Sequence, residues 1–275
     1  MRWAACHGRA MSMDWQRHNR EAWDQQVEEG SEWTVPVSSA DIARARAGEL
    51  ELRLTPTRVL PRDWLPSTLS GVRTLCLAGG GGQQGPLLAA AGASVTVFDL
   101  SPRQLAQDRA VADREGLALT TVEGEMSDLS TFADGSFDLV VFPCASLFVP
   151  DVRPVWRECV RVLRHAGVLL SGFVNPLYFL FDDDLLARGE LRARYTIPYA
   201  DISQRTLAEL DVMDTKREPL CFGHTLEDQL AGQLDAGFVI TGFYEDRWDD
   251  KPLDARIATF GATRAQNVRL ERLAR

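Results

Sequence analysis

Five glycines lie within eight consecutive residues of this chain, and this cluster is the feature that most restricts the possible folds. Residues 78–85 read Ala-Gly-Gly-Gly-Gly-Gln-Gln-Gly, after the apolar run Thr74–Ala78 and before a helical stretch. Glycine permits positive φ angles and lets the backbone approach a ligand, whose polar groups then meet free amides at the helix start. The cluster therefore predicts a strand, a ligand-binding turn and a helix, in that order.

Short apolar runs alternate with helical stretches beyond this turn, which is typical of βαβ units. Pro86 opens one helical stretch, Ser101 and Pro102 provide an N-cap and a first-turn proline for the next, and Asp151 can cap a third. The predicted strands are Thr74–Ala78, Ser94–Asp99, Ala118–Val122, Phe137–Phe142, Val168–Phe173, Phe238–Glu245 and Ala255–Arg264. We therefore predict an α/β fold with a Rossmann-like doubly wound sheet, mainly parallel with a C-terminal antiparallel strand.

The regular alternation stops after Asn175, and an irregular segment rich in aromatic residues follows. It resumes with Thr225, which can cap a helix that carries Leu226, Leu230 and Leu234 on one face. Near the N-terminus, residues 12–29 have helical spacing. We predict an N-terminal extension with a cap helix over 1–70, one domain over 71–264 with a lid insertion over about 175–224, and a tail over 265–275.

A nucleoside-bearing cofactor is the ligand that these signals favour. Gly80, Gly82 and Gly85 satisfy the GxGxxG pattern, and Asp99 lies 19 residues after Gly80 at the end of the second predicted strand. A carboxylate at that position accepts hydrogen bonds from ribose hydroxyls. These residues alone leave three alternatives open: an NAD(P)-dependent oxidoreductase, an S-adenosylmethionine-dependent enzyme, and a protein that binds its cofactor without catalysis.

Further motifs follow the glycine cluster in a characteristic order. They are Gly92-Ala93, separated from Gly82 by nine residues, Asp99-Leu100-Ser101, Glu123-Gly124-Glu125-Met126, Phe137–Val141 and Arg161–Leu169 (RVLRHAGVL). Over about 72–264, with the lid excepted, the chain resembles the class I S-adenosylmethionine-dependent methyltransferases, particularly small bacterial enzymes that act on small molecules. The resemblance implies that the cofactor is S-adenosylmethionine and that its methyl group passes to a small acceptor.

The resemblance also implies which residues contact the cofactor. Asp99 would bind the ribose diol, Glu125 would accept from the exocyclic amine of adenine, and an N-terminal helix would fold over the ligand. The implied cofactor-binding residues are Ala78, Gly80, Gly82, Gln83, Asp99, Leu100, Glu125, Met126, Pro143, Trp23 and Asn19. Cys76 and Ala78 depart from the family pattern of an acidic residue and a glycine, so another group would have to meet the methionine ammonium.

Catalysis would consist mainly of alignment, because a sulfonium methyl group is already electrophilic. An in-line displacement needs acceptor, methyl carbon and sulfur held in a dry pocket, and it requires no metal. His224 is the candidate general base, since it lies where the lid returns to the core and histidine titrates near neutral pH. A capping role for His224 is the alternative. The run Asp182–Asp184 could attract a cationic acceptor or form a solvated surface.

Composition restricts the partners. The chain has 30 Lys and Arg against 39 Asp and Glu, a net charge of −9, which disfavours nucleic acid and anionic membranes. No apolar run reaches the roughly 20 residues of a membrane helix. The five cysteines are odd in number and form no CxxC pair, which is typical of reduced thiols. We predict a cytoplasmic protein with a small-molecule acceptor, and the sequence does not indicate an oligomeric state.

Overall fold

A computed structural model describes residues 14–268, so the predictions that involve residues 1–13 and 269–275 lie outside the described part of the chain. The strands are β1 (Arg73–Leu77), β2 (Ser94–Asp99), β3 (Leu119–Glu123), β4 (Phe137–Phe142), β5 (Leu163–Val174), β6 (Tyr199–Ala200), β7 (Phe222–Gly223), β8 (Phe238–Asp246) and β9 (Phe260–Asn267). The helices are α1 (Trp15–Glu29), α2 (Ser39–Arg46), α3 (Gln84–Ala90), α4 (Pro102–Glu115), α5 (Arg153–Val162), α6 (Asp183–Ala187), α7 (Asp201–Gln204), α8 (Leu207–Lys216) and α9 (Gly232–Ala236).

Within residues 14–268, the main sheet has seven strands in the order β3-β2-β1-β4-β5-β9-β8. Strands β1 to β5 pair in parallel, whereas β9 pairs antiparallel with both β5 and β8. The predicted fold class is confirmed. Because strand order reverses between β1 and β4, the carboxyl ends of these two strands flank a crevice, where open α/β sheets bind ligands.

Alternate residues of the central strands face two separate hydrophobic clusters. Val140 and Phe142 of β4 pack in the cluster that contains Trp156 of α5. Leu139 and Val141 pack in the other cluster. A strand that is buried on both faces reads as a continuous apolar run, which explains the FDLVVF segment of β4.

Local capping signals determine where several helices begin and end. The Ser101 hydroxyl accepts from the backbone N–H of Gln104 at 3.1 Å, and α4 ends at Gly116 in the left-handed region. The backbone N–H of Asp228 donates to the Thr225 hydroxyl at 3.0 Å, as predicted for the last helical segment. None of the helices in residues 14–268 is both long and apolar enough to cross a membrane.

The last helical segment differs from its prediction. Leu226 and Leu234 are about half exposed, whereas Gln229 and Gln233 are buried. A π-helical turn over Glu227–Ala231 precedes α9 and adds a residue to the helical phase, so the apolar stripe rotates away from the core. The buried glutamines are hydrogen-bonded: Gln229 donates to the Ser146 hydroxyl at 3.1 Å and Gln233 accepts from the Thr263 hydroxyl at 3.0 Å.

The last strand, β9, also differs from its prediction: it covers Phe260–Asn267 and not Ala255–Arg264. Residues 252–256 form turns in which Arg256 N–H donates to the carbonyl of Leu253 at 2.8 Å. At the other end, the Asn267 side chain donates to the carbonyls of Val160 and Leu163 at 3.1 and 2.9 Å. This anchoring extends β9 beyond the predicted boundary.

The lid, residues 175–224, contains the short helices α6, α7 and α8 and the β6–β7 pair. Leu210, Met213, Leu220 and Phe222 form its own small hydrophobic cluster. Trp15 of α1 packs edge-on against Phe222, with ring centroids 6.2 Å apart. The N-terminal helix is therefore packed on the lid.

Gly172 of β5 lies where the chain segment around Leu54 crosses the sheet. A Cβ atom at Gly172 would lie 2.1 Å from the Leu54 carbonyl oxygen and 3.1 Å from the Cys144 sulfur. The Cys144 thiol also donates to that carbonyl at 3.2 Å. Only glycine leaves room for this crossing.

We predict that Gly172→Ala lowers the free energy of unfolding by about 2 kcal/mol or more, because two backbone segments must separate. Ser171→Ala at the next position is the control, since the buried Ser171 hydroxyl has no hydrogen-bond partner among the described residues. That variant should not be less stable than the wild type, because it removes a buried hydroxyl that has no partner in the described part of the chain. Urea denaturation of both variants measures the difference, and equal stabilities would contradict this packing argument.

Candidate active site

A cavity of about 730 Å³ opens at the carboxyl ends of the parallel strands. It extends from the ends of β2 and β3, past β1 and β4, to β5, the lid and the connection between β8 and β9. The predicted cofactor-binding residues that line it are Asn19, Trp23, Ala78, Gly80, Gln83, Asp99, Leu100, Glu125, Met126 and Pro143. Gly82 and His224, which were also predicted for the site, are absent from the described lining.

The glycine turn, residues 78–85, follows β1 in a left-handed conformation. Gly80, Gly81 and Gly82 have φ angles of 77°, 65° and 76°, which side chains rarely permit. Ala78 also has a positive φ, 50°, at a cost of about 1–2 kcal/mol. Gly82 faces the N-terminal segment: its carbonyl accepts from the Val37 N–H at 2.9 Å. Gly82 therefore contacts the N-terminal segment, and Ala78 and Gly80 line the cavity. A cofactor contact of Gly82 stays a prediction.

Asp99 ends β2 at the cavity wall. One of its carboxylate oxygens accepts from the Ser101 N–H at 2.8 Å. Burial, with a smaller contribution from the nearby Asp24 carboxylate, raises the pKa of Asp99 to about 6, against backbone hydrogen bonds from Leu100 and Ser101 that lower it. Asp24 belongs to α1 and accepts from the Ser101 hydroxyl at 2.6 Å. The N-terminal helix thus contributes a second carboxylate beside Asp99.

Glu125 follows β3 and leaves one acceptor open. Its Oε2 accepts from the Ser127 N–H at 3.0 Å, whereas its Oε1 is buried and has no hydrogen-bond partner among the described residues. A buried acceptor without a partner costs free energy, which a ligand donor can recover. The preceding Gly124 is required by packing, because a Cβ there would lie 2.2 Å from the Phe98 ring.

Asn19 connects three separate parts of the chain. Its amide nitrogen donates to the carbonyls of Phe148 and Leu220 at 3.2 and 3.1 Å, and its oxygen accepts from the Leu220 N–H at 2.8 Å. Both N–H bonds are therefore used within the protein. Trp23, one turn further along α1, packs edge-on against Phe148 at 5.0 Å. Asn19 therefore connects α1 to the lid and to the turn after β4 through hydrogen bonds.

A second N-terminal segment, residues 31–37, crosses the glycine turn. The Gln83 side-chain amide donates to the carbonyls of Trp33 and Val35 at 3.1 and 3.2 Å. Trp33 in turn meets Trp248, from the connection between β8 and β9, with ring centroids 5.6 Å apart. Gln83 thus lines the cavity while its nitrogen holds this segment in place.

His224 lies behind the cavity wall. It is buried, and its Nε2 is 2.9 Å from the carbonyl oxygen of Ser146 in the turn after β4. Burial lowers the pKa of His224 below its usual value. The catalytic role of His224 stays a prediction, and its contacts fit support of the turn whose residues Leu147 and Phe148 line the cavity.

Sequence reasoning missed much of the far wall. The added lining residues include Leu54, Thr55, Pro56, Tyr178, Phe179, Phe181, Tyr199, Trp248 and Phe260. The aromatic content of the lid was a usable signal, whereas no local pattern marks Leu54 to Pro56. Asp182 and Asp184 are absent from the described lining of this cavity: Asp182 caps α6, pairs with Arg194 and accepts from the Tyr195 hydroxyl at 3.2 Å. No group of three or more His, Cys, Asp or Glu side chains within residues 14–268 is arranged to hold a metal ion.

A further buried carboxylate lies beneath the glycine turn. Asp108 of α4 is 2% exposed, and its Oδ2 has no partner among the described residues. Burial raises the pKa of Asp108 from 3.8 to about 7, against a hydrogen bond from the Gly82 backbone that lowers it. The folded state therefore holds this proton more tightly than the unfolded chain does, and the associated stability is lost as pH rises from about 4 to about 7.

We predict that Asp108→Asn stabilises the protein above about pH 7, by on the order of 2–4 kcal/mol, because the amide carries no buried charge. The advantage should shrink towards about pH 4, where the wild-type carboxyl is protonated. Denaturation across this pH range measures the effect. Asp113→Asn, an exposed position on the same helix, is the control and should show no such trend. A constant difference between Asp108→Asn and wild type would contradict the prediction.

Comparison with known proteins identifies a family model and a relative that match this chain. A family model described as a methyltransferase domain matches residues 75–171. The chain is 51% identical over 251 residues to Uncharacterized methyltransferase YbaJ of Bacillus subtilis (strain 168), covering 91% of this chain and 98% of that protein.

Solved S-adenosylmethionine-dependent methyltransferases share the fold. The enzyme from Mesorhizobium loti has a TM-score of 0.55 at 20% identity, covering 74% of this chain and 94% of its own. That from Methanosarcina mazei has a TM-score of 0.55 at 19% identity, covering 75% and 95%. The resemblance and the cofactor predicted from the sequence are confirmed. The chain belongs to the class I S-adenosylmethionine-dependent methyltransferases.

Proposed function

We propose that this enzyme transfers the methyl group of S-adenosylmethionine to a small-molecule acceptor by in-line displacement. The observation that carries the proposal is one continuous cavity. Asp99, Leu100, Glu125 and Met126 line its β2–β3 end, and aromatic residues of the lid line its β5 end. A ligand at the first end and an acceptor at the second would share a space closed by α1, and such positioning can supply roughly 7–11 kcal/mol of a reaction barrier.

The residues at the β2–β3 end fit the adenosine part of the cofactor. The open Oε1 of Glu125 suits the exocyclic amine of adenine, and Asp99 at the end of β2 suits the ribose diol. Leu100 and Met126 would flank the ring, and the left-handed backbone at Gly80 leaves room for the ligand. When bound, the cofactor supplies a methyl group on a sulfonium sulfur. The nicotinamide alternative is not favoured by the family.

The protein's own part in the reaction would be alignment and exclusion of water. Pro143 and the turn from Ala145 to Val149 line the cavity beyond β4, between the two ends. His224 and Asn19 both bind carbonyls of this turn, at Ser146 and Phe148. We place them as positioning residues, because each fixes a backbone that faces the cavity.

We predict that Asp99→Ala weakens binding of S-adenosylhomocysteine by roughly 1–3 kcal/mol, the penalty for leaving ribose hydroxyls unpaired. Glu123→Ala is the matched control: Glu123 lies opposite Asp99 in the β2–β3 register but pairs with Arg20 at 2.9 Å and does not line the cavity. Isothermal titration measures both variants. Equal affinities for Asp99→Ala and wild type would place the ribose elsewhere.

The proposed activity itself is tested by turnover. The full chain, incubated with S-adenosylmethionine and a broad pool of small nucleophiles, should release S-adenosylhomocysteine and give products heavier by one methylene unit. Mass spectrometry detects both. Tight cofactor binding without turnover of any acceptor would contradict the proposal and favour a binding protein without catalysis.

A further inference from the structure

Aromatic rings line the β5 end of the cavity, where the acceptor would bind, which we call the acceptor end. Tyr178 meets Phe179 edge-on at 5.8 Å, and Phe179 stacks on Tyr199 at 5.5 Å with only 20° between the ring planes. On the other side, Trp248 meets Phe260 edge-on at 6.0 Å. All of these residues line the cavity. Walls of this kind favour a flat apolar ligand, because stacking and edge contacts add to the free energy of burial.

Asp201 is the buried carboxylate at this end, and its acceptor sites are already used. Its two oxygens accept from the Tyr199 hydroxyl at 2.6 Å, the Arg205 guanidinium at 2.5 Å and the Cys221 N–H at 2.6 Å. Asp201 is therefore occupied by donors of the protein and has the Arg205 guanidinium as its charge partner. This geometry does not favour Asp201 as a base for an acceptor or as a free negative charge for a cationic one.

Tyr199, Cys144 and Glu218, which also line this part of the cavity, have partners within the protein as well. The Tyr199 hydroxyl donates to Asp201, and burial raises the pKa of Tyr199 above its usual value. The Cys144 thiol donates to the Leu54 carbonyl, and burial raises its pKa as well. Glu218 pairs with Lys216 at 3.5 Å.

Histidine and lysine are both absent from the described lining of the cavity. The two histidines nearest to it are bound to backbone carbonyls: His18 Nε2 is 2.9 Å from the oxygen of Glu218, and His224 Nε2 is 2.9 Å from that of Ser146. An alcohol, a phenol or a protonated amine needs a base before it can attack, since phenols and amines have pKa values of about 10. A thiol, at about 8.5, forms enough thiolate near neutral pH to react by itself.

Resting on the proposed methyl transfer, we infer that the acceptor is a thiol carried on an aromatic or similarly flat apolar body. It reacts as the thiolate formed in water, without a base from the described lining of the cavity. The thiolate sulfur forms a bond to the methyl carbon while the bond from that carbon to the sulfonium sulfur breaks. The electron pair of the broken bond neutralises the sulfonium. The products are a methyl thioether and S-adenosylhomocysteine, and the proton remains with solvent.

A matched acceptor series tests this inference with the full chain. The probes are 4-methylthiophenol, 4-methylphenol and 4-methylbenzylamine, which share the methylphenyl ring, and 2-mercaptoethanol, a thiol without a ring. We expect kcat/KM for 4-methylthiophenol to exceed that of each other probe by at least about tenfold near neutral pH. With benzyl mercaptan, whose thiol titrates in the measurable range, kcat/KM should follow the ionisation of the acceptor thiol, and the same profile should persist in His224→Gln.

Specific outcomes overturn the inference while leaving the proposed function intact. Faster methylation of the phenol or the benzylamine would show that the site activates a harder nucleophile. Equal turnover of 2-mercaptoethanol would show that the ring wall does not select the acceptor. A pH profile that disappears in His224→Gln would restore an enzymic base. If S-adenosylhomocysteine does not bind at all, the proposed function fails first, and titration detects that separately.

Substitutions in the wall provide an independent test. Phe181→Leu should raise KM for 4-methylthiophenol by about tenfold and leave the Kd of S-adenosylhomocysteine unchanged, because Phe181 lines the cavity on the lid side. Leu177→Ala is the control, since Leu177 is 41% exposed and lies in the preceding turn, outside the cavity lining. An unchanged KM in Phe181→Leu, or an equal rise in Leu177→Ala, would overturn the assignment of the ring wall.

Discussion

The left-handed path of the glycine turn is the constraint on which the rest of the site depends. Three consecutive positive φ angles at Gly80 to Gly82 turn the chain from β1 into α3. Gly80 and Ala78 thereby face the cavity, while Gly82 faces residues 31–37 above and Asp108 below. A side chain within the turn would strain the backbone and displace these neighbours. The cofactor end of the cavity, its N-terminal cover and the first turns of α4 are thus fixed by one backbone conformation.

The two ends of the cavity are mechanically connected through α1. The Asn19 side chain donates to the Leu220 carbonyl of the lid and accepts from the Leu220 N–H. It also donates to the carbonyl of Phe148 after β4. Asp24, on the same helix, reaches the Ser101 cap beside Asp99. A displacement of α1 would therefore disturb the β2–β3 end and the β5 end of the cavity together. Enclosure of the two ligands follows from one helix position rather than from two independent lids, which suits a reaction that must exclude water from both.

Local chemistry was readable from the sequence, whereas contacts between distant segments were not. The apolar run of β4, the Ser101 cap and the carboxylate at Asp99 each depend on neighbours within a few residues, and the sequence predicted their positions. The predicted burial of the leucine stripe that begins at Leu226 was wrong, because a π-helical turn shifts the helical phase. The spacing of the leucines gives no indication of this turn. His224 satisfied the positional argument for a base, yet its partner is a carbonyl 78 residues away. Such pairings depend on the packed fold.

A site without a lining imidazole is consistent with the energetics of methyl transfer. Alignment can supply roughly 7–11 kcal/mol, and a general base adds about 10²–10⁴-fold, equivalent to roughly 3–5 kcal/mol. Alignment, the larger contribution, needs rigid walls. The buried side chains of His224, Asn19 and Gln229 form hydrogen bonds to the turn after β4 and thereby help to fix its position. The smaller contribution is unnecessary when the nucleophile ionises by itself. The absence of an imidazole from the described lining and the density of fixed backbone contacts therefore both fit the proposed acceptor, which would provide its own reactive electron pair.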